Sequence, residues 1–176
     1  MSLARSLSLF ALLLAAPLLA QKEPRQPLTE PQIEQIREAG IYPEERIGLY
    51  TKFIDEHVEA IKSLGAHGHS KARAVHLDND LQDLAALLDE LGSNLDQYGD
   101  RKADLRKSLK KLNEAAPRWV DTLRALPTEP GYDLSRTDAL ESCQDLASQV
   151  SDLVKEQTAY FDEHKDQRGQ DRAEPQ

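Results

Sequence analysis

The sequence has little sulfur and few aromatic residues, which limits the chemistry that it can support. Cys143 is the only cysteine, and aromatic residues make up 5% of the chain. An intrachain disulfide and covalent haem attachment through Cys-x-x-Cys-His are therefore excluded. We expect the Cys143 side chain to pack as a small apolar group. With a formal charge of −9, the chain is also a poor partner for nucleic acid or anionic lipid.

Long apolar runs are absent except near the amino terminus. Residues 7–19 read LSLFALLLAAPLL and follow one basic residue, Arg5. This run has the length of a signal-peptide core and is shorter than the roughly 20 apolar residues that a membrane-spanning helix needs. We therefore predict a signal peptide over residues 1–20, cleaved after Ala20. The mature chain would be periplasmic or extracellular, with no stable membrane anchor.

The remaining apolar residues are spaced as in amphipathic helices. We predict a Pro-rich disordered linker over residues 21–28, a helical bundle domain over 29–166 and a disordered polar tail over 167–176. A short helix begins at Thr29 and ends at Gly40, and four long helices follow it. Apolar positions in the long helices lie three and four residues apart, which is typical of helices that pack with knobs in holes. The predicted core positions are Ile47, Tyr50, Ile54, Val58, Ile61 and Leu64; Ala74, Leu77, Leu81, Leu84, Leu88, Leu91, Leu95 and Tyr98; Leu105, Leu109, Leu112, Ala116, Trp119, Leu123 and Leu126; and Ala139, Cys143, Leu146, Val150, Leu153, Gln157, Tyr160 and His164.

The connection between the second and third long helices admits two interpretations. Gly99 and Asp100 favour a turn, because glycine often ends a helix and aspartate often caps one. The predicted fold is then an all-α, up-and-down bundle. The heptad phase continues across Gly99, however, so the alternative is a fused helix over residues 70–126. Such a rod would leave its apolar seams open and favour a homodimer.

Charge alternates along the last three long helices. The counts are six acidic and no basic residues over 74–98, eight basic and four acidic over 100–126, and eight acidic and three basic over 135–166. A turn at Gly99 would bring Asp96 near Lys102, and Asp89 near Lys110. We therefore expect the acidic helices to neutralise the basic one through exposed ion pairs, each contributing tenths of a kcal/mol.

Four histidines are weak candidates for metal ligands. His67 and His69 lie in the loop between the first two long helices, with His76 and His57 at nearby levels of the helices that flank it. Imidazoles near carboxylates can bind zinc, copper or nickel. Structural zinc sites usually also contain cysteine, and no histidine here belongs to the Glu-x-x-His motif of di-iron bundles.

No arrangement typical of nucleophilic catalysis is found, and no motif implies a cofactor. Gln157 and His164, the polar members of the last seam, are expected to set register or lie at the end of the bundle. The sequence therefore favours an exported, non-catalytic bundle that binds a protein partner or forms a homodimer. The alternative is an envelope protein that binds a metal or small ligand through the four histidines.

Overall fold

The computed structural model describes residues 26–170, which form an all-helical bundle. The helices are α1 (Glu30–Glu38), α2 (Pro43–Gly65), α3 (Lys71–Asp100), α4 (Arg106–Ala125) and α5 (Asp133–Glu163), and a 3-10 turn, Lys165–Gln167, follows α5. The predicted fold class is confirmed, with α2 to α5 as the four long helices. The predicted signal peptide and its cleavage site lie outside the described residues. Within residues 26–170, no helix is both long and apolar enough to cross a membrane.

The four long helices form a closed square in which α3 and α4 occupy diagonal corners. Both α2 and α5 pack against α3 and α4. No Cα atom of α3 lies within 8 Å of one in α4, although all residues of both helices are described. Consecutive long helices run antiparallel, so the neighbours α3 and α5 run parallel, as do α2 and α4. The diagonal placement of α3 and α4 decides how charge is distributed over the surface.

Most heptad positions form the core as predicted, but Leu64 of α2 and Leu153, Tyr160 and His164 at the end of the last seam are only partly buried. Every predicted core residue of α4 is buried, as are all those of α3 except the half-buried Ala74. Phe53, Leu87 and Phe161 are fully buried as well, although they lie outside the predicted seams. No buried side-chain nitrogen or oxygen among the described residues lacks a hydrogen-bond partner. The bundle therefore buries its seams within one chain.

The turn between α3 and α4 lies later in the chain than predicted. Gly99 and Asp100 belong to the last turn of α3, and the chain reverses over residues 101–105. The Ala103 amide donates to the Tyr98 carbonyl at 3.1 Å, and Lys102 has a φ of 56°. This pattern is a Schellman ending, in which lysine occupies the left-handed position that usually holds glycine. The fused helix over 70–126 is therefore wrong.

The ion pairs expected between α3 and α4 are also wrong, because these helices are diagonal. Asp96 accepts a hydrogen bond from Gln149 of α5 at 2.6 Å. Lys102 pairs instead with Glu156 of α5 at 3.1 Å. Lys110 has no carboxylate within 4.0 Å among residues 26–170, so Asp89 does not neutralise it. The helices that pack against α4 are α2 and α5, and the acids of α3 lie out of its reach.

Both ends of the described chain pack against the bundle. Leu28, at the end of the predicted linker, is buried in the core. Gln167 to Gln170, which we expected to begin a disordered tail, lie against the α3–α4 turn. There the Asp104 amide donates to the Gln170 carbonyl at 2.8 Å. At the other end of the bundle, α5 begins at Asp133 and so precedes the predicted start at Ser135.

Candidate functional site

The structure does not gather the four histidines into one site. Three of them bond to different parts of the chain: His57 Nε2 lies 3.3 Å from the Pro27 carbonyl, His67 Nδ1 lies 2.6 Å from the Ser63 carbonyl, and His69 Nδ1 lies 2.8 Å from Glu129 Oε1. His76 is exposed on α3. Among the described residues, no group of three or more His, Cys, Asp or Glu side chains is placed to hold a metal ion.

The polar cluster that does form near His69 is a cross-link between two loops. The Arg73 side chain is 5% exposed. Its guanidinium donates to Glu129 Oε1 at 2.9 Å and to the Leu64 carbonyl at 2.8 Å. The hydrogen bond with Glu129 raises the pKa of Arg73 above its usual value. Because these groups bond to each other, the cluster joins the α2–α3 loop to the α4–α5 loop and leaves no open polar site.

At the opposite end, Gln157 caps the start of α4. Its side chain is 5% exposed in the seam of α5. Oε1 accepts from the Leu105 amide at 2.8 Å, and Nε2 donates to the Ala103 carbonyl at 2.7 Å. Gln157 therefore lies at the end of the bundle, as predicted, and bonds two backbone groups that would otherwise be buried without partners.

Asp104 holds this end of the bundle together from the α3–α4 turn. Its carboxylate accepts from Arg106 Nη2 at 2.7 Å and from the Gly169 amide at 2.8 Å. The Arg106 hydrogen bonds lower the pKa of Asp104 to about 2. The carboxylate therefore stabilises the turn and the docked segment before Gln170 at neutral pH.

A large open cavity lies beside this turn, between the starts of α2 and α4. It has a volume of about 740 Å³ and opens to solvent, with Tyr42 on its wall. The charged groups around it largely pair with each other, Glu44 with Lys107 at 2.5 Å and Asp104 with Arg106. The cavity therefore presents no converging set of free polar groups that would favour catalysis.

The outer surface separates charge more clearly than any cavity does. A shallow groove between α3 and α5, here called the acidic groove, is lined by the carboxylates of Asp89, Asp96 and Asp145, with Leu88 and Leu146 at its base. Its volume is about 320 Å³. No Lys or Arg occurs in α3 after Arg73, so few cations lie along this side of the bundle.

The basic face lies on α4 and consists of Lys110, Lys111 and Arg118. All three side chains are exposed, and Lys111 also lines the cavity between α2 and α4. None has a carboxylate within 4.0 Å among residues 26–170, and Arg118 Nε donates to the backbone carbonyl of Glu114 at 3.3 Å. From the sequence we expected the acidic helices to neutralise this face, but α3 does not lie beside α4.

Two exposed apolar side chains lie at the beginning of the α3–α5 pair. Val75 is 58% exposed and Leu134 is 76% exposed. Near them, Ser135 Oγ donates to Asp78 Oδ1 at 2.5 Å and joins the starts of the two helices. Neither apolar side chain lines the acidic groove, which lies further along both helices.

No family model, curated protein or solved structure matches this chain. Its buried polar groups bond internally, whereas its outer surface has an acidic groove and a basic face on different sides.

Proposed function

We propose that this chain is an exported, non-catalytic bundle that binds a protein, and that the acidic groove receives a basic segment of that protein. The supporting observation is that α3 and α5, the two most acidic helices, are neighbours. Their carboxylates therefore act together on one partner surface. Such complementarity steers association and selects partners by charge.

The interior of the bundle favours a binding role over a catalytic one. The Cys143 thiol is fully buried, and burial raises its pKa to about 12, so it is a poor nucleophile. The buried polar side chains Arg73 and Gln157 bond to parts of the bundle itself. The dispersed histidines give no support to metal binding.

Export remains part of this proposal and follows from the sequence alone. Expression of the whole reading frame in a bacterial host should deliver a protein outside the cytoplasm that begins at Gln21. Intact-mass measurement and N-terminal sequencing of that protein test the cleavage site. A protein that keeps residues 1–20 would contradict the proposed export.

Binding to the acidic groove can be tested with a dye-labelled decalysine peptide. The groove variant combines Asp89→Asn, Asp96→Asn and Asp145→Asn. Each lost exposed charge pair contributes about 0.5 kcal/mol, so the three together predict roughly tenfold weaker binding by fluorescence anisotropy. The anisotropy should be measured at about 50 mM salt, where such charge pairs are only partly screened.

A matched control separates the groove from the net charge. Glu34→Gln, Glu38→Gln and Glu59→Gln remove three exposed carboxylates from α1 and α2 and give the same net charge as the groove variant. The proposal predicts that this control binds decalysine like the unaltered chain. Equal weakening in both variants would show that only net charge matters and would refute the groove.

A further inference from the structure

The basic face of α4 has no counterpart of opposite charge within its own molecule. Its three cations, Lys110, Lys111 and Arg118, project from the bundle on the helix diagonal to α3. The surface of α4 includes two acids near them, Glu114 and Asp121, and neither carboxylate lies within 4.0 Å of any of the three cations. Exposed cations that are not neutralised internally are available to carboxylates of another molecule.

The acidic groove offers three carboxylates to match these three cations. Asp89 and Asp145 have no cation within 4.0 Å among the described residues, and Asp96 bonds to the neutral Gln149 amide. The groove lies between α3 and α5, whereas the basic face points outward from α4 at another corner of the square. The two surfaces therefore cannot meet within one copy.

We infer that the basic face of one copy docks in the acidic groove of a second copy. This inference rests on the proposed function and names its partner as the same chain. A contact between two different surfaces is heterologous, so each copy keeps one free surface of each kind. Copies then add head to tail, and the interface is stabilised mainly by screened charge pairs. The association is therefore weak and sensitive to salt.

Two variants, each with one altered surface, test the pairing. The basic-face variant combines Lys110→Glu with Lys111→Glu, and the groove-reversal variant combines Asp89→Lys with Asp145→Lys. The unaltered protein should show a weight-average mass that rises with concentration at about 50 mM salt and falls to the monomer at about 500 mM. Each variant alone should associate at least tenfold more weakly than the unaltered protein. In sedimentation velocity it should therefore run as a monomer at concentrations where the unaltered protein associates.

Mixing the two variants gives the sharpest result. The acidic groove of the basic-face variant can receive the unaltered basic face of the groove-reversal variant, and the two reversed surfaces are also opposite in charge. The mixture should therefore associate again, in complexes that contain both variants, although neither variant associates alone. Arg37→Glu with Lys52→Glu makes the same charge change on α1 and α2 as the basic-face variant, and this control should still self-associate. Far-UV circular dichroism confirms that each variant is folded.

Other outcomes overturn the inference. An unaltered chain that stays monomeric at about 50 mM salt refutes it, as does a mixture of the two variants that stays monomeric. If that monomeric chain still binds decalysine through its groove, self-association fails while the proposed function stands. If the groove neither self-associates nor binds decalysine, both fail.

Discussion

Replacing Gln157 by leucine should destabilise the bundle, although a heptad pattern alone predicts the opposite. Gln157 occupies a core position of α5, where leucine would ordinarily pack better than glutamine. In the structure, its side chain is the only partner shown for the Leu105 amide and the Ala103 carbonyl. Both residues are almost completely buried, so solvent cannot replace the lost hydrogen bonds.

The magnitude follows from those two backbone groups. A buried polar group that loses its partner costs about 1–3 kcal/mol, so the pair costs roughly 2–6 kcal/mol. Leucine returns about 1 kcal/mol by burying additional apolar surface. The free energy of unfolding of Gln157→Leu should therefore fall by about 1–5 kcal/mol.

Urea unfolding measures this change. Trp119 is the only tryptophan and is 1% exposed, so its fluorescence reports loss of the core. With a slope of about 2 kcal/mol/M, the urea midpoint should fall by about 0.5–2.5 M. Gln144→Leu makes the same chemical change at an exposed site of α5 and should shift the free energy of unfolding by less than about 0.5 kcal/mol. A Gln157→Leu protein as stable as the unaltered chain would refute the capping role.

Three further predictions concern single side chains. The Cys143 thiol should not react with a disulfide reagent in the folded protein at pH 8, since burial raises its pKa to about 12, and its reaction rate should follow unfolding in denaturant. The pKa of Asp104 is lowered to about 2 from 3.8, so its stabilisation is present above about pH 4 and lost as pH falls through about 2. Asp104→Asn should therefore lower the free energy of unfolding by about 2 kcal/mol at pH 7 and by little at pH 2. Lys102→Gly should raise the free energy of unfolding by about 0.5–1 kcal/mol, because glycine adopts a φ of 56° without strain. A variant that unfolds at a lower urea concentration than the unaltered protein would contradict this.

Local sequence information was sufficient for the helices and for most of their buried faces. The three-and-four spacing depends only on the geometry of one helix, and it correctly placed residues such as Leu91, Leu112 and Val150 in the core. Heptad spacing does not specify which helix lies beside which. The expectation that α4 would lie beside α3, and with it the predicted pairing of Asp89 and Lys110, therefore failed.

The missed polar contacts depend on tertiary structure in the same way. Arg73 and Glu129 are far apart in sequence, and neither belongs to a motif that indicates their ion pair. The α3–α4 turn was misplaced because lysine seldom adopts the left-handed conformation that Lys102 has. Gln157 did carry a usable signal, since a polar residue in an otherwise apolar seam usually bonds a buried group.

Zero-length carbodiimide cross-linking tests most directly which helices lie side by side, and thus how charge is separated on the surface. The reagent joins lysines to carboxylates that lie in contact, and peptides from the gel-purified monomer band report contacts within one copy. We expect a link between Lys107 and Glu44, whose atoms are 2.5 Å apart, and a link between Lys102 and Glu156. A link between Lys110 and Asp89 in the monomer band would place α3 beside α4 and contradict the diagonal arrangement of these helices.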